Sequence, residues 1–184
     1  MNTVIFDLDG TLALIDHRKH LVQKDIAAKR WLDKLDPVQA VEVMREVLFD
    51  KTAALRHFEE KSNWKQQWDD FYDQCIHDEP NKPVVAALHA HRNAGNQIVI
   101  FSGRSKRVES LTRDWLSKHS IPYDALIMRP DGDNTPDDVL KSTWLDKYFP
   151  AFSKVLCVYD DRDKVVAMWR KRGIPCFQVA NGDF

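Results

Sequence analysis

Val4-Ile5-Phe6-Asp7-Leu8-Asp9-Gly10-Thr11 is a short apolar run that stops in a polar turn. Three apolar residues without alternation suit a strand buried on both faces. Gly10 then lets the chain turn sharply. The pattern returns downstream. Ile98-Val99-Ile100-Phe101 ends in Ser102-Gly103-Arg104, and Val155-Leu156-Cys157-Val158-Tyr159 ends in Asp160-Asp161. Weaker runs lie at Tyr123 to Met128 and Ile174 to Val179. Helical periods fill the gaps. Asn81-Lys82-Pro83 can open one helix, with Gly95 as its stop. Ser105 can cap a second, whose apolar face is Val108, Leu111, Trp115 and Leu116. Thr135-Pro136-Asp137-Asp138 can open a third, and Val165, Val166 and Trp169 mark a fourth. Strands alternating with helices predict an α/β fold with a parallel central sheet covered on both faces. Chemistry in such sheets gathers at the carboxyl ends of the strands, where these polar clusters fall.

The stretch from residue 13 to 80 breaks the alternation. It has no strand run, and its aromatics (Trp31, Phe49, Phe58, Trp64, Trp68, Phe71, Tyr72) sit among many charges. Ala40, Val41, Met44, Val47 and Leu48 recur at helical spacing, and Asp36-Pro37 is expected to separate two helices. The expectation is a core of residues 1–12 and 81–184, with residues 13–80 as a helical insert forming a lid over the strand ends.

Composition narrows the function classes. With 184 residues, 27 Lys plus Arg and 28 Asp plus Glu, the chain is near neutral, which excludes a uniformly basic nucleic-acid clamp. No run of about 18 apolar residues occurs, so no membrane partner is expected. No secretory leader is recognisable, and the three scattered cysteines (Cys75, Cys157, Cys176) fit reduced core thiols. Both point to a cytoplasmic protein. Nothing in the pattern bears on oligomeric state.

Asp7 and Asp9 are two positions apart in an extended segment, so both carboxylates face one side. Held unaided, they repel and one takes up a proton; a divalent cation resolves the conflict, and all-oxygen donors suit Mg²⁺. Asp160-Asp161 can supply further oxygens. Thr11 can fix the turn with its hydroxyl. Ser102, the backbone of Gly103 and the guanidinium of Arg104 can hold phosphoryl oxygens. Lys141 lies one turn into its helix, where an ammonium could neutralise a phosphate and the carboxylates together. His17, Arg18, Lys19 and His20 form a basic cluster just past the first motif.

Asp-x-Asp, Ser, Lys and Asp-Asp in this order resemble the four motifs of the haloacid dehalogenase (HAD) superfamily, the aspartate-nucleophile phosphotransferases. The second half narrows the likeness. Phe101-Ser102-Gly103-Arg104, Met128-Arg129-Pro130, Asp137-Asp138-Val139-x-Lys141, Asp160-Asp161-Arg162 and the tail from Gln178 to Phe184 are similar to the 3′-phosphatase domains of phage polynucleotide kinase–phosphatases. The match covers residues 1–18 and 80–184. It implies a HAD-like Rossmannoid three-layer fold with a helical cap after the first strand. It implies Asp7 as nucleophile, Asp9 as general acid and base, and Ser102 and Lys141 on the phosphoryl group. Asp7, Asp9 (through its carbonyl), Asp160 and Asp161 would hold Mg²⁺. Thr11, Arg18, Gly103, Arg104 and Arg129 would serve the substrate. The expected substrate is a 3′-phosphorylated DNA or RNA end, extended to a 2′,3′-cyclic phosphate; the alternative is a small phosphorylated metabolite such as a free nucleotide. Two features depart from the phage pattern. No G-x-x-x-x-G-K-[ST] occurs among six glycines, so no kinase activity is expected of these residues. Asp7 and Ser102 are 95 positions apart, a spacing lengthened by the helical insert.

Overall fold

The computed structural model describes residues 1–22, 36–39, 41, 45, 64–150 and 154–182. The chain divides into two compact units, residues 1–15 with 75–184, and residues 16–74.

The first unit is built on a five-stranded sheet. Its strands are β1 (Thr3–Asp7), β4 (Gln97–Ser105), β5 (Ala125–Arg129), β6 (Val155–Asp160) and β7 (Cys176–Gln178), in the order β5-β4-β1-β6-β7. Every pairing is parallel. All five residues of β1 are buried because it is central and covered on both faces, which is why its sequence shows no alternation. Among the described residues, its α-helices are α3 (Lys82–Asn93), α4 (Glu109–Lys118), α5 (Asp137–Tyr148) and α6 (Asp163–Lys171). One face of the sheet, through Ile5, Val99, Phe101 and Val158, packs on Leu140, Trp144 and Leu145 of α5 and on Val165, Val166 and Trp169 of α6. On the other face, Phe6 stacks on Tyr159 and meets the edge of His91 from α3. β4 and β6 leave β1 in opposite directions, so the chain reverses its winding beside β1. That reversal opens a crevice at the carboxyl ends of β1, β4 and β6.

Several local expectations are corrected. β4 does not stop at Phe101 but runs through Ser102-Gly103-Arg104 to Ser105, with a register shift against β5 between Ser102 and Ser105. The polar residues sit on an irregular strand end, where pairing is loosened and side chains are re-aimed. Ser105 caps a short 3₁₀ turn (Lys106–Val108), its Oγ accepting from Arg107 N at 3.2 Å, and α4 begins only at Glu109. The cap position of α5 is Pro136 rather than Thr135; Pro136 has φ −53° and ψ 142°, so the helix starts at Asp137. Asn81 occupies the cap position of α3 without a side-chain bond. The stretch from 13 to 80 does contain strands. β2 (Ala13–Leu14) and β3 (Glu79–Pro80) form a two-residue antiparallel ladder, too short to show as a sequence run.

The second unit contains α1 (Asp16–Lys19) and α2 (Trp64–Asp73). The Arg18 guanidinium lies over the Phe71 ring, 4.1 Å from its centroid, and donates to the Phe71 carbonyl at 3.3 Å. Trp68, Phe71 and Tyr72 pack edge to face and tilted around it. Residues 37–39 are helical, and Asp36 Oδ1 accepts from Val38 N and Gln39 N, so Asp36-Pro37 opens a helix as an N-cap and first-turn proline. The expected apolar stripe at Ala40, Met44, Val47 and Leu48, and Trp31, Phe49 and Phe58, lie outside the described residues. Among the described residues, no helix is long and apolar enough to cross a membrane. All three cysteines are buried free thiols.

Candidate active site

Asp7 is the last residue of β1, and the chain folds over at once. Ala13 N donates to Leu8 O at 2.8 Å, and Gly10 N to Ala13 O at 2.9 Å. Gly10 has φ +87°, and a Cβ there would lie 2.1 Å from Asp161 Oδ2. Only glycine satisfies both the left-handed backbone and the close approach of the carboxylate. Thr11 Oγ1 reaches Asp161 Oδ1 at 3.3 Å and so ties the first motif to the fourth. The resemblance placed Thr11 on the substrate; in the structure its hydroxyl is buried and lies between these two loops.

Lys141 comes from the second turn of α5. Its Nζ donates to Asp7 Oδ1 at 2.6 Å and to Asp160 Oδ2 at 2.8 Å, and all three side chains are buried. Trp169 Nε1 adds a contact to Asp160 Oδ2 at 3.3 Å. Oxygens of Asp7, Asp160 and Asp161 lie within 4.8 Å of one another. Three carboxylates thus face one ammonium. Burial raises the Asp7 pKa well above its ordinary value; Lys141 opposes the shift, while Asp160 and Asp161 add to it. Burial also disfavours the charge on Lys141, but Asp160, Asp7 and Asp137 outweigh it and raise its pKa. Asp161 is pushed up to about 6, first by burial and then by Asp160. A surplus of buried negative charge, presented only by hard oxygen atoms, is the donor set that a divalent cation of the Mg²⁺ type fits. Asp9 does not join it through its side chain: among the described residues the clustered carboxylates are Asp7, Asp160 and Asp161.

The Asp9 carboxylate is engaged elsewhere. Arg104 Nε donates to Asp9 Oδ1 at 2.7 Å, and Arg104 Nη2 stands 2.5 Å from the same oxygen. Arg104 Nη2 also pairs with Asp78 Oδ2 at 2.6 Å. The side chains of Arg104 and Asp78 are fully buried, whereas Asp9 is 19% exposed. Arg104, which the resemblance assigns to the substrate, pairs here with the carboxylates of Asp9 and Asp78. Trp115 fixes the far end of the chain, its Nε1 donating to the Asp78 carbonyl at 2.7 Å. Asp78 was not among the residues singled out in the sequence. It sits in the acidic run between the helical stretch and β3, with no motif around it, and only its distance to Arg104 reveals it.

Ser102 is buried, and its Oγ accepts from Arg104 N at 3.2 Å. Beside it, a Cβ on Gly103 would come within 3.0 Å of Asp137 Oδ1. Asp137 is held by Arg129 and by Arg162, the latter at 2.5 Å. Arg129 further donates to the carbonyls of Gly103 (3.0 Å), Asp133 (3.1 Å) and Thr135 (2.6 Å). It clamps the loop before α5 and so positions the helix carrying Lys141. Asp137 and Arg162 complete that clamp; neither stood out as a site residue in sequence. Arg18 belongs to the second unit, with the contacts given above.

The raised carboxyl groups make stability depend on pH. Asp161 folded titrates near 6 and unfolded near the ordinary carboxylate value of 3.8. Between those values the folded state binds more protons, so this group's contribution to stability falls as pH rises through the window. A shift of this size is worth on the order of 2–3 kcal/mol. In chelator, Asp161→Asn is expected to flatten the pH dependence of Tm between pH 4 and 7 relative to the parent chain. Parallel curves from calorimetry would contradict the assignment.

The comparisons with known proteins agree with this geometry. A family model described as the polynucleotide kinase PNKP phosphatase domain, HAD_PNKP, matches residues 45–184. A protein of Autographa californica nuclear polyhedrosis virus, named "Putative bifunctional polynucleotide kinase/RNA ligase", is 35% identical over 108 residues, 58% of this chain and 16% of that protein. A chain in the structure of the Pnkp1/Rnl/Hen1 RNA repair complex matches with a TM-score of 0.65 and 28% identity over 99% of this chain and 43% of that one. A hydrolase from Streptococcus pneumoniae TIGR4 shares the fold at a TM-score of 0.52 and 16% identity, covering 98% of this chain and 93% of that one. The chain spans less than half the length of the viral protein and of the repair-complex chain. With three acidic strand and loop ends, a buried lysine and a family match over most of its length, the chain belongs to the HAD-type phosphatase domains of the polynucleotide kinase PNKP family.

Proposed function

We propose that this chain is a Mg²⁺-dependent phosphatase that removes 3′-phosphate, including the 2′,3′-cyclic form, from DNA or RNA ends. In this reading residues 13–80 act as its cap, ATP-dependent phosphorylation is not among its activities, and its setting is the cytoplasm, the host's for a phage-like gene. The observation that carries the chemistry is the buried Asp7 carboxylate, aimed by Lys141 at 2.6 Å beside Asp160 and Asp161. Family membership and the RNA-repair relative support the nucleic-acid end as substrate.

The chain's residues divide the work. Asp7 attacks phosphorus, and the bond to the leaving alcohol oxygen breaks as Asp9 protonates that oxygen. Asp9, kept in place by Arg104, then takes a proton from the water that attacks the aspartyl-phosphate, which returns Asp7 and releases phosphate. Ser102 accepts from Arg104 N and keeps its own hydrogen for a phosphoryl oxygen. Lys141 offers its remaining N–H to another. Asp7, Asp160 and Asp161, with the Asp9 carbonyl, would hold Mg²⁺, which supplies the positive charge that lets an anionic nucleophile meet an anionic phosphoryl group.

The test compares phosphate release from a 3′-phosphorylated oligonucleotide, a 5′-phosphorylated one, and 3′- and 5′-mononucleotides, each with Mg²⁺ or chelator. Preference for the 3′-phosphorylated polymer with Mg²⁺ is expected. Turnover of mononucleotides alone would replace this reading with that of a small-molecule phosphatase, and no turnover of any ester would remove it.

The Asp9–Arg104–Asp78 chain makes its own prediction. Asp78→Asn turns a charged hydrogen bond into a neutral one, a loss of about 1–1.5 kcal/mol, which corresponds to roughly tenfold if it is felt in the transition state. The expected result is a fall in kcat of that order with KM little changed, because Asp9 rather than substrate loses its support. A change confined to KM would place Arg104 on the substrate after all.

A further inference from the structure

The segment after β7 carries no chemistry of its own, yet it is packed against the loop that carries Asp160 and Asp161. Four hydrogen bonds join them. Val179 N donates to Asp160 O at 3.1 Å, continuing the β6–β7 ladder one step past the strand. Gln178 Nε2 donates to Asp161 O at 2.9 Å and to Asp163 Oδ1 at 2.6 Å. Gly182 O accepts from Asp163 N at 3.4 Å. Gly182 is buried, and the backbone of the two segments is in contact there. A Cβ on Gly182 would lie 2.1 Å from Asp161 O, 2.4 Å from Arg162 Cα and 2.6 Å from Asp163 N. Only glycine lets the tail pass so close.

We infer that residues 178–182 are a brace that sets the position of the Asp161 carboxylate and thereby the affinity of the carboxylate cluster for its divalent cation. The Asp161 carboxylate meets the Thr11 hydroxyl at a long 3.3 Å and lies where a Cβ on Gly10 would be. Holding three carboxylates within 4.8 Å costs repulsion until a cation is bound. A loop free to relax would move Asp161 outward and weaken the site. The tail prevents this by gripping the carbonyl of the same residue. Gln178 and Gly182 are therefore positioning residues: they act through Asp161, and neither touches substrate. This inference rests on the metal-dependent reading above.

The test uses the whole chain and two variants, Gln178→Met, which keeps the length and loses the donor, and Gly182→Ala. The midpoint of the Mg²⁺-induced rise in Tm is measured without substrate, and kcat is measured at saturating Mg²⁺. Loss of support behind a ligand typically lowers metal affinity tenfold or more. Both variants are expected to need about tenfold more Mg²⁺, while kcat at saturation stays within about twofold for Gln178→Met. A midpoint unchanged in Gln178→Met, with the parent chain responding to Mg²⁺, overturns the brace and leaves the phosphatase reading standing. A loss of Tm equal with and without Mg²⁺ in both variants also overturns it, since the tail would then serve the fold alone. No response to Mg²⁺ in the parent chain would sink the metal site and the brace with it.

Discussion

Asp7→Asn is expected to release no phosphate above background from any ester, with or without Mg²⁺. The amide keeps the shape of the side chain and its place at the end of β1. In the proposed mechanism it lacks the anionic oxygen that attacks phosphorus, and the other carboxylates described at the site are engaged elsewhere. Asp160 is held by Lys141 and Trp169, Asp161 by Thr11, and Asp9 by Arg104. The substitution also removes one of three mutually repelling buried charges, so the folded state should be undiminished. Tm in chelator is expected to equal or exceed that of the parent chain. Inactivity with retained Tm separates a missing nucleophile from a damaged fold. Turnover near the parent rate in a clean preparation would end the assignment.

Lys141→Met is the second large effect, and it acts in the opposite sense on stability. The side chain supplies the ammonium among three buried carboxylates, contacting Asp7 and Asp160 directly. Removing one partner of a buried ion pair costs about 3–5 kcal/mol, because the other charges remain in a poorly solvating place. The penalty depends on protonation. As pH falls, Asp7 and Asp161, both raised by burial, bind protons and the repulsion eases. The variant is therefore expected to lose most stability in chelator at pH 7 to 8 and to recover towards pH 5. Calorimetry across that range checks it. Activity should fall by about a hundredfold to a thousandfold, the usual loss when a charged donor to the transition state is deleted. A variant equal to the parent chain in both measurements would show that Lys141 neither balances the cluster nor holds the phosphoryl group.

Much of this site is legible in one dimension, for a reason that is local. Asp7, Asp9, Ser102, Lys141, Asp160 and Asp161 each follow or sit near the end of an element whose own pattern is strong. The apolar strands announce where chain ends must gather, and the polar residues at those ends are then conspicuous. Glycines add to the signal, since Gly10 marks a turn that few other residues could make. Asp78 lacks such marks, and Asp137 and Arg162 lie beside marked residues without themselves signalling a role. Each is a charged residue among other charged residues, and its role is defined only by a partner distant in sequence: Asp78 by Arg104, 26 residues away, and Asp137 by Arg162, 25 residues away. The two-residue ladder of β2 and β3 was invisible for a related reason, being too short to generate a period.

Sequence alone determined the class of the fold, the parallel order of strand and helix, and the six residues that carry charge or a hydroxyl to the strand ends. Those follow from burial and turn chemistry, which act on neighbours along the chain. Tertiary structure decided which oxygens share one space, that Arg104 serves Asp9, and that Arg129 clamps a loop. It also brought the tail against the Asp161 backbone. Each of these depends on a distance between segments, and a charge or a donor takes its meaning from what it is buried against.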